Sequence, residues 1–258
     1  MVKNLNIFSL DGKVAVVTGA ARGIGEAISR QLGEMGAHVV MADMLDVVDE
    51  TARKLGDEGL STEGERVDVT SSQNVNELAK RVNAKHGRVD IVVANAGIAY
   101  ESTTEDHSDE DWRRVMSINL DGVFYTARAF GNIMLDQGGG SIIAISSIAG
   151  VKAVRPELHI GYDVTKAGVA HFCKVAGVEW AARGVRVNAV GPGYTNTEML
   201  QRVGLEQPEV MARWIDDIPM SRLLEPSEIA QAVAFLASDA ASGITGQLLM
   251  ADAGYSAA

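Results

Sequence analysis

Short apolar runs alternate with longer amphipathic stretches along most of the chain. The runs of strand length predict seven β-strands, at Val14–Thr18, His38–Ala42, Glu65–Val69, Val89–Ala94, Ser141–Ser146, Val185–Val190 and Gln247–Met250. Several are apolar at consecutive positions, which is typical of parallel strands covered on both faces. Between them, apolar residues recur at helical spacing, and two longer helices are predicted over Asp109–Leu135 and Tyr162–Ala182.

Strand–helix alternation from end to end predicts an α/β fold, a doubly wound parallel sheet of the Rossmann type with helices on both faces. No repeat or Pro/Ser-rich linker divides the chain, so residues 1–258 are predicted to form a single domain.

A less regular insert, Tyr194–Glu225, follows the sixth strand. Such sheets bind ligands at the strands' carboxyl ends, where long loops often act as lids, so residues 194–225 are predicted to be a substrate lid. Met199, Met211 and Trp214 form either its apolar face or the ordinary packing of a short helix.

Composition narrows the function classes. The net charge of −11 argues against nucleic-acid and anionic-membrane partners, which require clustered Lys and Arg. Met1–Asn6 lacks an apolar core of the secretory type, so no signal peptide is expected. The single cysteine, Cys173, cannot form an internal disulfide, which fits a reducing compartment and predicts a cytoplasmic protein.

A glycine motif follows the first strand. Gly19, Gly23 and Gly25 have the spacing G-x-x-x-G-x-G, and a helix begins within the motif. Gly19 is suited to the turn, the next glycine lets backbone approach a pyrophosphate, and the helix N-terminus offers free N–H groups. Arg22 and Ile24 lie in the same segment. A tight strand–helix turn without ligand is the alternative interpretation.

The end of the second strand bears on coenzyme choice. Asp43 lies 18 residues after Gly25, where a carboxylate accepts hydrogen bonds from ribose hydroxyls and repels a 2′-phosphate. Arg22 favours the opposite outcome, since a cation there suits a 2′-phosphate. Asp43 carries more weight because its expected position faces the ribose, so the predicted cofactor is NAD. An ordinary polar residue after a strand is the alternative for Asp43.

Further dinucleotide contacts are predicted at two other strand ends. Asp68 and Val69 end the third strand, where a carboxylate can meet the adenine amino group. Asn95, Ala96 and Gly97 follow the fourth strand, and Gly97 again allows close approach. Asn95 is equally suited to holding the strand geometry and to contacting the ligand.

A Tyr-x-x-x-Lys pair supplies candidate acid/base chemistry. Tyr162 and Lys166 lie one turn apart on one helix face. A free phenol has a pKa of about 10, and a nearby ammonium favours the phenolate. An isolated pair would be coincidence on most helices, but Ser147 lies at the end of the fifth strand. Asn119 lies inside a predicted helix, where a polar Asn is mildly unfavourable.

Together these residues resemble the short-chain dehydrogenase/reductase family, over nearly the whole chain from Leu10 to Tyr255. The matches are ordered along the sequence. They comprise the glycine motif Gly19, Gly23 and Gly25, the Asn95-Ala96-Gly97 motif, the catalytic set Asn119, Ser147, Tyr162 and Lys166, and Pro192 and Gly193 followed by Thr197.

The resemblance implies a mechanism. Tyr162 is the general acid/base at the substrate oxygen, and Ser147 hydrogen-bonds that oxygen. Lys166 binds the nicotinamide ribose and lowers the pKa of Tyr162, while Asn119 holds a water in a proton relay behind Lys166. The nicotinamide half of the cofactor lies along Pro192, Gly193, Thr195 and Thr197. The family also commonly forms homotetramers through the two long helices, so we expect a homotetramer.

One departure from the family pattern bears on the substrate. Ser147 and Tyr162 are 15 residues apart, and the extra length lies in Val151–His159. A similar insertion with an Arg-Pro pair, here Arg155-Pro156, occurs in members that oxidise sugar alcohols. We therefore expect an NAD-dependent oxidoreductase of a secondary alcohol or ketone, with polyols favoured.

Two alternatives remain, a 3-oxoacyl thioester reductase, which is also an enzyme, and a non-catalytic nucleotide-sensing protein, which belongs to another function class. The first predicts NADP preference and a basic patch for a carrier protein, and the second predicts a defective catalytic set.

No two of the five histidines have the spacing of a metal site, so no catalytic metal is expected.

Overall fold

Seven parallel strands form one sheet in the computed structural model, which describes residues 7–258 except for the side chain of Met199. Residues 1–6, from which the absence of a signal peptide was predicted, and the side chain of Met199, a candidate of the lid face, lie outside the described residues. The strands are β1 Val14–Thr18, β2 His38–Asp43, β3 Thr62–Arg66, β4 Ile91–Ala94, β5 Gly140–Ile145, β6 Val185–Pro192 and β7 Leu248–Ala251.

The strand order is β3-β2-β1-β4-β5-β6-β7, with every neighbouring pair parallel. The order reverses between β1 and β4, and in open α/β sheets the crevice at this reversal binds ligands. The helices are α1 Gly23–Glu34, α2 Val48–Asp57, α3 Ser72–His86, α4 Asp109–Met116, α5 Gly122–Gln137, α6 Ile160–Trp180, α7 Glu198–Glu206, α8 Pro208–Asp217 and α9 Pro226–Ala237.

Helices cover both faces of the sheet. Alternate strand residues point to opposite sides, so Val17 belongs to the apolar cluster that includes residues of α1, α2 and α9. Val16 belongs to the cluster that includes residues of α3, α5 and α6. The strands are apolar at consecutive positions because both faces are buried. The predicted single-domain, doubly wound parallel sheet is confirmed.

Two predicted elements differ from the structure by more than one or two residues at an end. The third strand was predicted at Glu65–Val69, but β3 is Thr62–Arg66. It is an edge strand with half-buried side chains, so it lacks the apolar run of a central strand, while the buried Val67 and Val69 follow its end. The continuous helix predicted over Asp109–Leu135 is interrupted by a π-helical turn, Ser117–Asp121, that separates α4 from α5.

No helix within residues 7–258 is both long enough and apolar enough to cross a membrane.

Candidate active site

The glycine turn after β1 lies at the strand reversal and is packed too tightly for side chains. Gly19 has a φ of +65°, and a Cβ there would lie 2.7 Å from Cα of Ala96. A Cβ on Gly25 would collide with the carbonyl oxygen of Gly19. Glycine is therefore required at both positions, and the turn leads directly into the N-terminus of α1.

Asn95 holds this turn. Its side-chain amide donates to the carbonyl oxygens of Thr18 and Gly19, both at 3.0 Å. The Thr18 hydroxyl in turn accepts from the backbone N–H groups of Asn95 and Ala96. Of the two roles that the sequence left open for Asn95, the contacts of residues 7–258 show the structural one.

Asp43 faces the glycine turn. One carboxylate oxygen accepts from the backbone N–H of Ala21 at 3.0 Å, and the other accepts from the N–H of Leu45 at 3.0 Å. The half-buried carboxylate therefore lies beside the loop that would hold a dinucleotide. The side chain of Arg22 is exposed and makes no hydrogen bond or ion pair with any described residue.

The other predicted dinucleotide contacts lie around the same edge of the sheet. Asp68 caps its own turn, accepting from the N–H and hydroxyl of Thr70. Gly193 packs against Asp252, whose Cα would lie 2.8 Å from an added Cβ. Thr197 comes within 3.9 Å of a Cβ built on Gly23, so the segment after β6 reaches the glycine turn.

The π-helical turn positions Asn119, whose side chain is fully buried. Its amide oxygen accepts from the N–H of Ile98 at 2.9 Å, and its nitrogen donates to the carbonyl of Ile98 at 2.8 Å. The same nitrogen is 3.2 Å from the hydroxyl of Thr165, which donates to the carbonyl of Tyr162 at 2.7 Å. Asn119 thus joins the strand end of β4 to α6, and π turns of this kind are frequent at functional sites.

Lys166 points inward from α6. Its ammonium donates to the carbonyl of Ile145 at 2.8 Å and lies 5.4 Å from the centre of the Tyr162 ring. A Cβ on Gly97 would come within 3.4 Å of Nζ, so this glycine also makes room for the lysine. Burial lowers the pKa of Lys166 to about 8, because a buried ammonium loses its hydration.

Tyr162 and Ser147 meet between β5 and α6. Burial raises the pKa of the Tyr162 phenol above its ordinary value, although a hydrogen bond with Ser147 acts in the opposite direction. The family resemblance led us to expect a pKa lowered by Lys166. In this structure burial acts in the opposite direction and the ammonium donates to the carbonyl of Ile145, so the lowering of the pKa by Lys166 stays a prediction.

Polar side chains lie on the insertion between Ser147 and Tyr162. His159, almost fully buried, lies 2.8 Å from a carboxylate oxygen of Asp163, and its ring is 5.2 Å from that of Tyr162. The Tyr194 hydroxyl donates to Glu157 Oε1 at 3.0 Å. Glu157 Oε2 is buried and has no hydrogen-bond partner among residues 7–258. An unpaired buried acceptor is costly, so Glu157 is suited to a ligand hydroxyl.

Three contributors to this site were not found from the sequence. Ile98 and Ile145 act through backbone atoms, which carry no residue-type signal. Thr165 lies within the Tyr-x-x-x-Lys segment, but its link to Asn119 depends on a contact across 46 residues.

A cluster of two histidines and a glutamate lies away from this site. His38, Glu63 and His86 come together although their spacing gave no indication of it. The expected absence of a catalytic metal stays a prediction.

The residues at the strand reversal fit a nicotinamide dinucleotide. The turn has no room for a Cβ at Gly19 or Gly25, and it presents the helix N-terminus that suits a pyrophosphate. Asp43 lies where a ribose would follow, and Tyr162 and Lys166 lie at the other end of the same edge.

Comparison with known proteins supports this assignment. The family model described as enoyl-(acyl carrier protein) reductase matches residues 19–256. The galactitol 2-dehydrogenase (L-tagatose-forming) of Cereibacter sphaeroides is 40% identical, with 96% of this chain and 97% of the relative covered. The cis-4-hydroxycyclohexanecarboxylate dehydrogenase of Sinomonas cyclohexanicum is 44% identical, with 95% and 97% covered.

A solved structure has the same architecture. A putative NAD(P)-dependent gluconate 5-dehydrogenase from Beutenbergia cavernae, with bound NADP at low occupancy, superposes with a TM-score of 0.92 at 37% identity. The alignment covers 97% of this chain and 99% of that one.

Proposed function

Because this chain belongs to the short-chain dehydrogenase/reductase family, we propose that it is an NAD-dependent oxidoreductase of secondary alcohols and ketones, with polyols as the favoured substrates. The observation that carries the proposal is the meeting of Tyr162, Ser147 and Lys166 at the sheet edge that holds the glycine turn. Hydride transfer is the chemistry that a bound nicotinamide supplies.

Proton transfer falls to Tyr162. In ketone reduction its hydroxyl donates a proton to the carbonyl oxygen, and in alcohol oxidation the phenolate accepts one from the hydroxyl. Ser147 hydrogen-bonds the same oxygen and orients it. Lys166 binds a ribose hydroxyl of the nicotinamide half, and Asn119 supports a proton relay behind it, with the side chain of Asn119 anchored to Ile98.

The coenzyme preference for NAD depends on Asp43. Its carboxylate, beside the glycine turn, accepts hydrogen bonds from ribose hydroxyls and repels a 2′-phosphate. Arg22 is the opposing influence, and the NADP in the B. cavernae structure shows that a relative accepts the phosphate. The remaining contacts that we propose are those of the sequence analysis, with Asp68 and Val69 toward the adenine and Pro192, Gly193, Thr195 and Thr197 toward the nicotinamide.

The preference for polyols depends on the insertion between Ser147 and Tyr162. A polyol needs several hydrogen-bonding partners, and the insertion brings Glu157 and His159 to the substrate side. The galactitol dehydrogenase among the relatives fits this choice. The hydroxycyclohexanecarboxylate dehydrogenase is more similar in identity, and it makes a ring-borne secondary alcohol the second substrate class.

The assembly and location that we propose are a cytoplasmic homotetramer. Apolar side chains of α5 and α6 are exposed in one chain, namely Phe124, Val164, Val175 and Val178. Exposed apolar patches of this kind mark protein–protein contacts.

We propose residues 194–225, which include α7 and α8, as the substrate lid. Neither nucleic acid nor a membrane is a proposed partner.

The experiment that tests the function is a substrate panel. The purified chain is incubated with NAD or NADP and galactitol, threitol, simple secondary alcohols, cis-4-hydroxycyclohexanecarboxylate or a 3-hydroxyacyl thioester, while the reduced nicotinamide is followed by its absorbance. We expect the highest kcat/KM with NAD and a polyol. Turnover confined to the thioester with NADP would show the acyl-thioester reductase, and tight dinucleotide binding without turnover would show the sensor.

A further inference from the structure

A cluster of three side chains of metal-binding types lies at the amino ends of β2 and β3. His38 is the first residue of β2, Glu63 is the second residue of β3, and His86 ends α3. One nitrogen or oxygen of each lies within 4.8 Å of the other two. We propose that these three side chains bind a divalent transition-metal ion of the Zn²⁺ type, at a site separate from the active site at the carboxyl ends of the strands.

The separations suit a tetrahedral ion. Glu63 Oε1 lies 2.8 Å from His86 Nε2 and 3.6 Å from His38 Nε2. Zinc bonds to nitrogen and carboxylate oxygen are about 2.0–2.2 Å long, which places neighbouring ligand atoms of a tetrahedron about 3.3–3.5 Å apart. The two observed separations lie on either side of this value, so small side-chain rotations complete the arrangement, with water as the fourth ligand.

His38 already has the hydrogen bonding of a metal ligand. Its Nδ1 is 2.7 Å from the Ser61 hydroxyl, whereas its Nε2 is buried and has no hydrogen-bond partner within residues 7–258. In the tautomer in which Nδ1–H donates to the Ser61 hydroxyl, the Nε2 lone pair is directed at the cluster. Metal-binding histidines are usually oriented by such an outer hydrogen bond.

The surroundings of Glu63 set both its attraction for a cation and the limit of that attraction. Its Oε2 contacts the Lys85 ammonium, and its Oε1 lies 2.8 Å from His86 Nε2. Lys85 occupies Oε2, which leaves Oε1 as a single donor for the metal. The Lys85 ammonium also repels a cation, so it weakens the site that it helps to position.

The test uses untagged, chelator-treated full-length protein titrated with Zn²⁺ in competition with a chromophoric chelator. We expect one equivalent bound per chain. His86→Gln and Glu63→Gln should each weaken binding at least about tenfold, because each removes a ligand. Lys85→Gln should tighten binding, since the repulsion is lost. His171→Gln, at an exposed histidine of α6, is the matched control and should leave the affinity unchanged.

A thermal measurement separates a metal site from a purely hydrogen-bonded cluster. An ion that binds only the folded state raises Tm with its concentration, so Zn²⁺ should raise the Tm of the parent protein and of His171→Gln but not of His86→Gln. Dinucleotide binding reports whether each variant is folded. No bound zinc, or equal affinity in all the variants, would overturn the proposal, and so would a Tm loss in His86→Gln accompanied by no zinc effect in the parent.

Discussion

The glycine turn after β1 and the insertion between Ser147 and α6 face the same edge of the sheet but are held in different ways. The turn is fixed by backbone packing, since the carbonyl of Gly19 lies against Gly25. The side-chain amide of Asn95 also donates hydrogen bonds to the carbonyls of Thr18 and Gly19. The insertion is fixed by contacts between distant segments. The Ser102 N–H donates to Leu158, and Tyr194 donates to Glu157.

This difference separates what must stay constant from what can vary. A dinucleotide is the same molecule in every enzyme that uses it, and a backbone cradle tolerates no added side chain. Substrate contacts made by side chains such as Glu157 change with single substitutions while the sheet is preserved. We therefore expect changes in the turn to impair all substrates alike and changes in the insertion to alter selectivity.

The largest effect on dinucleotide affinity is expected at Gly25. In Gly25→Ala the new Cβ meets the carbonyl of Gly19 and comes within 2.7 Å of the Asn95 amide. The turn must shift to relieve this overpacking, which moves the backbone N–H groups that would face the pyrophosphate. Dinucleotide affinity should therefore fall about a hundredfold, as measured by fluorescence titration. Gly33→Ala on the same helix is the control, because its Cβ meets Leu60 at an ordinary 3.4 Å. Equal affinity in the two variants would contradict the backbone-cradle interpretation.

The pH dependence should separate proton transfer from cofactor binding. Burial raises the pKa of Tyr162, so the phenol is protonated at neutral pH. Oxidation needs the phenolate and should rise about tenfold per pH unit below that pKa, whereas reduction needs the phenol and should stay level. The measurement is kcat in both directions from about pH 6 to 9 with dinucleotide affinity followed in parallel. An oxidation rate independent of pH would contradict the assignment, provided that chemistry limits the rate.

A substitution at Asp43 tests the coenzyme preference of the half of the site that would hold the dinucleotide. Asp43→Asn removes the charge that repels a 2′-phosphate and weakens hydrogen bonds to the ribose. The ratio of kcat/KM for NAD to that for NADP should fall about ten- to a hundredfold. Asp46→Asn is the control, since that carboxylate belongs to the same loop but is 87% exposed. An unchanged ratio in Asp43→Asn would assign coenzyme choice elsewhere, with Arg22 as the next candidate.

The smallest effect is expected at Glu157. Glu157→Gln keeps the shape but loses the charge of the unpaired acceptor, so kcat/KM for a polyol should fall about fivefold with dinucleotide affinity unchanged. A simple secondary alcohol serves as the comparison substrate, because it has no second hydroxyl for this group to bind. Equal losses on both substrates would show that Glu157 supports the fold of the insertion and does not select polyols.

The glycine turn and the position of Asp43 beside it were predictable from the sequence, because each depends on residues close together along the chain. The spacing of Gly19, Gly23 and Gly25 is imposed by one strand–helix turn, and Asp43 follows from the next strand. We predicted β3 three residues too far along the chain, because an edge strand lacks the apolar run of a central strand. The π turn around Asn119 was hidden because its flanking residues keep helical periodicity.

The substrate half and the histidine cluster were not predictable in the same way. The bond from Tyr194 to Glu157 spans 37 residues, and the contact of Glu63 with His86 spans 23. Such pairs are brought together by the strand order of the sheet. The raised pKa of Tyr162 likewise depends on burial, which the Tyr-x-x-x-Lys spacing does not specify.

The most direct test of the account is Tyr162→Phe, measured for both turnover and dinucleotide affinity. The variant keeps the ring and removes only the hydroxyl. We predict that kcat falls about 10²- to 10⁴-fold on the best substrate of the panel, the usual contribution of a general acid/base, while dinucleotide affinity is unchanged. Turnover within a fewfold of the parent enzyme, with the dinucleotide still bound, would contradict the central claim that Tyr162 transfers the proton.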